Sequence, residues 1–236
     1  MVMSPRVIAI APASTRTVPP GGSVISPNAK AGPELISVCM TVMLGLHRYG
    51  ASMTSGNDGI VADTKDWTWV LDRQCPECGF DTRTVTRDDI GPMVRANAAA
   101  WVGILQRDDV ATRPRPDVWS PLEYACHVRD VFRVFDERLA LMLGVDAPEF
   151  PNWDQDATAV QERYREQAPD VVADGLMRAA ESVAAAFDAV PDGAWSRTGR
   201  RSDGSAFTVE TMARYFVHDP EHHVYDVTGA TVWPAR

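Results

Sequence analysis

The tetrapeptide Ser120-Pro121-Leu122-Glu123 constrains this chain most, because it fixes where a long helix must begin. Serine at the N-cap and glutamate three residues on form a capping box, in which each side chain satisfies a backbone N–H the helix leaves unpaired. The proline falls at the first helical position, where its missing N–H is no loss. Neither glycine nor proline follows until Gly144, so this helix is expected to run to about Leu143. Other segments are punctuated in the same way. Thr86 can cap a helix reaching Gln106, with Asp88 and Asp89 in its first turn and Ile90, Met93, Val94, Asn97, Trp101, Ile104 and Leu105 mostly on one side. A short helical piece, Ala157 to Gln167, leads past Pro169 into an Ala-rich helix ending near Val190, where Pro191-Asp192-Gly193 stops it. Thr208 opens the last helix, and the run WSRTGRRSDGSAF before it reads as a polar turn or small hairpin. Residues 145–156 read as an irregular connection. Four long helices without repeats, heptads or a convincing sheet indicate an all-α four-helix bundle with long connections.

The bundle is assigned to residues 63–236. Residues 1–62 are expected to be a disordered extension or the product of a misassigned start, with Met53 opening the natural protein. The longest apolar run, LISVCMTVMLGL from Leu35, is too short to span a bilayer. A net charge of −9 argues against nucleic acid or an anionic membrane as partner. The four cysteines, Cys39, Cys75, Cys78 and Cys126, are too few and too unevenly placed for a secreted disulfide scaffold, which favours a reducing cytoplasm. The oligomeric state stays open, with a homodimer among the options.

Chemistry concentrates in the last helix, where RYFVHDPEHHVYDV holds three of the five histidines. At about 100° per residue, Val209, Met212, Ala213, Phe216, Val224 and Val227 form an apolar stripe. His223 projects near one edge of it, with Asp219 one turn before and Asp226 beside it. His218 and His222 project away, towards solvent. Both the 218/222 and 219/223 pairs have the i,i+4 spacing that lets two ligands share one ion, but only the second borders the core. Pro220 either kinks this helix or marks a fresh start within it. A bundle site needs a ligand from a second helix, and His127 lies one turn into the helix opened by SPLE. Alone, it would read as a partly buried histidine bonded to a carbonyl. Together with the last helix, it gives two imidazoles and a carboxylate with one open position. That set suits Zn²⁺, or Ni²⁺, Mn²⁺ or Fe²⁺ in an expanded geometry.

These residues resemble the DinB-like and mycothiol-dependent maleylpyruvate isomerase superfamily. Its members are four-helix bundles with a divalent metal near one end, one histidine early in the second helix and two further ligands at i,i+4 on the last. WSPLEYACH supplies His127, and HDPEHHVYD aligns with Asp226 at the trailing polar position. The resemblance thus makes His223 a ligand and puts Asp219 where relatives carry His or Glu, with His218, one residue earlier, as the alternative. It implies a metal-dependent transferase or isomerase that brings a low-molecular-weight thiol such as mycothiol to an electrophilic substrate. Asp226, Glu221 or His222 would act as base or orienter there, and Arg129 would bind an acidic group of the thiol cofactor or substrate. A non-catalytic metal or small-molecule binding module of the stress response is the alternative. CPECG, from Cys75 to Gly79, reads as a tight turn whose cysteines pack or stay reduced, because no second CxxC or HxxxH lies nearby in sequence.

Overall fold

A computed structural model of the protein describes residues 59–60 and 65–233. Met53 and nearly all of the expected extension therefore lie outside the described residues. Four long helices form the bundle: α1 (Ile90–Ile104), α2 (Pro121–Gly144), α4 (Pro169–Asp188) and α5 (Val209–Thr228), with a short α3 (Gln155–Gln161) between α2 and α4. The caps fall where the punctuation places them. Ser120 Oγ accepts from the Glu123 N–H while Glu123 Oε2 accepts from the Ser120 N–H at 2.8 Å. Arg113 braces the same buried carboxylate from the preceding loop. Thr208 caps α5, and Pro169 takes the first turn of α4.

Ion pairs and hydrogen bonds give the helix directions. Arg87 just before α1 meets Glu210, and Asn97 meets Glu221, so α1 and α5 run parallel. Arg129 lies against Gly175 and Asp136 accepts from Ser182, so α2 and α4 also run parallel. Gly91 lies against Asp188 and Arg95 pairs with Glu181, so α1 runs antiparallel to α4, and α2 is in turn antiparallel to α5. The result is an up-down-down-up ring in the order α1–α4–α2–α5. Parallel neighbours cannot be joined by a short loop, which accounts for the long crossover over residues 145–168.

That crossover is less irregular than expected. Glu149–Phe150 forms β1, parallel to β2 (Thr198–Arg201), which pairs antiparallel with β3 (Ala206–Thr208) in the expected hairpin. At the bundle centre, fully buried Phe216 stacks on Phe135 at 4.8 Å and Phe187 at 5.6 Å and meets Phe132 edge-on. Each such ring contributes roughly 1.5–3 kcal/mol by leaving water. No described helix is long and apolar enough to cross a membrane.

Candidate metal centre

Helix α5 runs unbroken through Pro220 from Val209 to Thr228, ending at Gly229 in the left-handed region (φ 75°). Its second half is covered on three sides. Val217, Pro220 and Glu221 face Met93, Val94 and Asn97 of α1. Asp219 and His223 face His127 near the start of α2. His218 and His222 face the loop around Cys75 and Cys78.

On the α2 side, His127 Nε2 lies 3.2 Å from Asp219 Oδ1, and His223 Nε2 lies 3.7 Å from the same oxygen. The candidate ligand atoms of all three residues fall within 4.8 Å of one another. His223 Nδ1 is 2.9 Å from Asp226 Oδ2, so the carboxylate accepts the Nδ1 proton and leaves the Nε2 lone pair for a cation. His127 is wholly buried, and its Nδ1 has no hydrogen-bond partner among the described residues, so it is not a carbonyl-bonded core histidine. The ring is held by packing: Trp153 stacks on it at 5.3 Å and 8°, and Trp119 leans on it at 5.4 Å. Tyr124 covers His223 at 5.0 Å. Desolvation tends to raise the Asp219 pKa, but the facing imidazoles of His127 and His223 outweigh it and hold the carboxyl well below the usual range. The Asp219 side chain stays 34% exposed, so this donor set of two imidazoles and a carboxylate keeps one accessible side. That is the pattern of a site with an open position, and it fits a divalent cation.

On the other side, the structure corrects two expectations. His218 and His222 do not project into solvent; they are 4% and 6% exposed. Nor is the CPEC turn without histidine partners. Cys75 Sγ lies 3.7 Å from His222 Nδ1, and Cys78 Sγ lies 3.8 Å from His218 Nε2. All four ligand atoms lie within 4.8 Å of one another. His218 therefore does not compete with Asp219 for the α2-facing site but belongs to a different set. Burial pulls the His218 pKa down to about 4 and lowers that of His222 as well, leaving both imidazoles neutral near pH 7. Burial also raises the Cys78 thiol to about 12. The separate halves of this set were visible in the sequence, as an unmatched CxxC and an unmatched HxxxH. Their meeting was not.

The remaining candidates are placed as follows. Asp226 sits between the two sets, on His223 and 3.6 Å from His222 Nε2. Glu221 is buried on the α1 side, where it accepts from Asn97 and from the backbone of Val232 and Trp233. It thus ties the tail to α5 on a different face from the ligands. Arg129 forks onto Asp130 and reaches Gln167, in a buried network with Tyr164 that fastens the crossover to α2. Cys126 is a core residue.

Comparison with known proteins agrees with this architecture. The chain is similar in fold to YfiT from Bacillus subtilis, described as a probable metal-dependent hydrolase with an unusual four-helix bundle topology. The TM-score is 0.57 at 17% identity, covering 62% of this chain and 87% of that one. No curated protein matches the chain. The family model of the DinB superfamily matches residues 93–227, from the first turn of α1 almost to the end of α5, and the chain belongs to that superfamily.

Proposed function

We propose that His127, Asp219 and His223 hold a catalytic divalent cation, with zinc favoured by the donor set, and that the chain is a thiol-dependent transferase or isomerase. The observation that carries this reading is the pairing of a fixed ligand set with an accessible side: Asp226 orients His223, Trp153 and Trp119 orient His127, and Asp219 remains partly exposed. Bound there, the cation supplies Lewis acidity, lowering the pKa of a water or thiol on its open side or polarising a carbonyl. The chain's own groups do the rest. His127 and Asp219 come from different helices, so the bundle core sets their separation before any ligand arrives. Trp119, Tyr124 and Trp153 wall one side with apolar surface and keep water from it. Asp226 holds the His223 proton at Nδ1 and, beside the ligand set, would serve as its base or orienter. The reading gives no role to Glu221 or Arg129, whose side chains serve the packing described above. A low-molecular-weight thiol of the mycothiol type would be the nucleophile, and a small electrophile the substrate.

A second reading, hydrolysis with water as nucleophile at the same site, draws support from the description of YfiT. One experiment separates the two. Metal-replete protein purified without a histidine tag is given electrophiles with and without low-molecular-weight thiols, beside simple esters and amides. Thiol-dependent turnover that drops at least ~100-fold in His223→Ala supports the transferase or isomerase. Thiol-independent ester or amide cleavage with the same sensitivity supports the hydrolase. Turnover unchanged by His223→Ala removes both.

A further inference from the structure

We propose that Cys75, Cys78, His218 and His222 form a second metal site, a closed Cys₂His₂ zinc centre that clamps the loop before α1 onto α5. It is distinct from the α2-facing site and shares none of its ligands. Four side chains of two metal-binding kinds converge here, all between 1% and 9% exposed, and none of the three described cysteines is in a disulfide. Tetrahedral zinc, with Zn–S of ~2.3 Å and Zn–N of ~2.0 Å, requires S···N separations of ~3.5 Å. The two observed pairs, at 3.7 and 3.8 Å, need only a small contraction.

Local geometry prepares each pair. The CPEC segment is a tight knuckle: the Gly79 N–H bonds to the Cys75 carbonyl and the Cys75 N–H to the Phe80 carbonyl. Gly79 adopts φ +74°, which a residue with a side chain rarely does. The knuckle therefore turns both thiols to one side. On α5, His218 and His222 are one turn apart on one edge. His222 Nε2 lies 3.4 Å from Glu77 Oε2 and 3.6 Å from Asp226 Oδ1, so the nearby negative charge favours the proton on Nε2 and leaves the Nδ1 lone pair towards Cys75. Trp67, with its ring 5.6 Å from His218 and 5.1 Å from His222, and Phe80 at 6.4 Å from His218 roof the cluster. Protein supplies all four ligands and aromatic rings cover them, so no coordination position is left for a substrate. The site is structural, and two soft thiolates with two imidazoles select zinc. As two Zn–S bonds form, two thiol protons pass to solvent and no electrons move. The clamp has a consequence for the other site. His218 and Asp219 are adjacent, as are His222 and His223, so pinning one edge of α5 fixes the helix rotation that aims the other edge at His127.

The test uses tag-free full-length protein with Co²⁺ exchanged for the native metal. The expected spectrum shows a thiolate-to-cobalt charge-transfer band with tetrahedral d–d bands. Those bands persist in Asp219→Asn and vanish in the Cys75→Ser/Cys78→Ser variant, and each variant loses one metal ion per chain. Because the cysteine variant could fail to fold, wild-type zinc protein is also titrated with an organic mercurial, which should release one zinc as the thiols are capped. Cobalt-loaded protein without thiolate bands, or thiols capped with no zinc released, overturns the proposal.

Discussion

The two edges of α5 carry ligand pairs with the same spacing, 218/222 and 219/223, one residue out of phase and about 100° apart. What differs is what lies opposite. The 219/223 edge faces a helix of the bundle, which offers one imidazole and leaves a side accessible. The 218/222 edge faces a loop that offers two thiols under aromatic rings, with nothing left open. Spacing along a helix thus selects residues that can share an ion, while the opposing element decides whether that ion would react or hold structure.

The comparison is broken most directly through stability. The α2-facing ligands bridge long helices already joined by a packed core, whereas the regular structure beside the loop at Cys75 is limited to short 3₁₀ turns, Trp67–Leu71 and Thr82–Thr84. Zinc lost from the cysteine set should therefore cost far more. In thermal unfolding with excess zinc, Cys75→Ser/Cys78→Ser should lose ~3 kcal/mol or more, a Tm drop of ~6–12 °C. The near-isosteric Asp219→Asn should lose less than half of that. Equal losses would mean that the two edges do not divide structure from chemistry.

The same contrast explains what could be read from the chain. Helix starts were legible because caps act locally: Ser120 and Glu123, Thr208 and Pro169 each satisfy or omit backbone groups within one turn. The pairing of His127 with Asp219 and His223 was legible because helical periodicity places all three near the core. The cysteine set was not, because it joins residues 140 positions apart and its loop has no periodicity to aim it. The helical wheel placed His218 and His222 correctly, away from the stripe. It could not show that a loop covers that face. β1 escaped for a related reason, since two residues carry no alternation and pair only because the crossover brings them to β2.

A sharper comparison turns on Asp226, which touches both edges. It accepts from His223 Nδ1 at 2.9 Å but stands 3.6 Å from His222 Nε2, where Glu77 at 3.4 Å is a second nearby carboxylate. Asp226→Asn should therefore weaken metal binding at the α2-facing site by roughly 10-fold to 100-fold. The thiolate-bound ion should change little. Competition against a chelating dye, following release of the weaker and the tighter ion separately, measures both. A parallel weakening of the two ions would show that the edges are coupled through this carboxylate.

The smallest effect should come from the third face of α5. Glu221 is buried among hydrogen-bond donors: Oε2 accepts from the backbone of Val232 and Trp233 at 3.0 Å each, and Oε1 accepts from Asn97 Nδ2 at 3.1 Å. Desolvation raises its pKa, and the three donors only partly offset this, so the charge itself is disfavoured there. A neutral glutamine can keep the two backbone bonds through its carbonyl. Its amide then meets Asn97, whose Oδ1 has no partner among the described residues and can rotate to accept it. Glu221→Gln should thus change stability by less than ~1 kcal/mol and leave both metal sites and turnover intact. Glu221→Ala strands the buried Asn97 amide and two part-buried N–H groups and should cost ~2–3 kcal/mol in denaturant unfolding. A loss of turnover in the glutamine variant without a loss of stability would return Glu221 to the chemistry and extend the reactive edge around the helix.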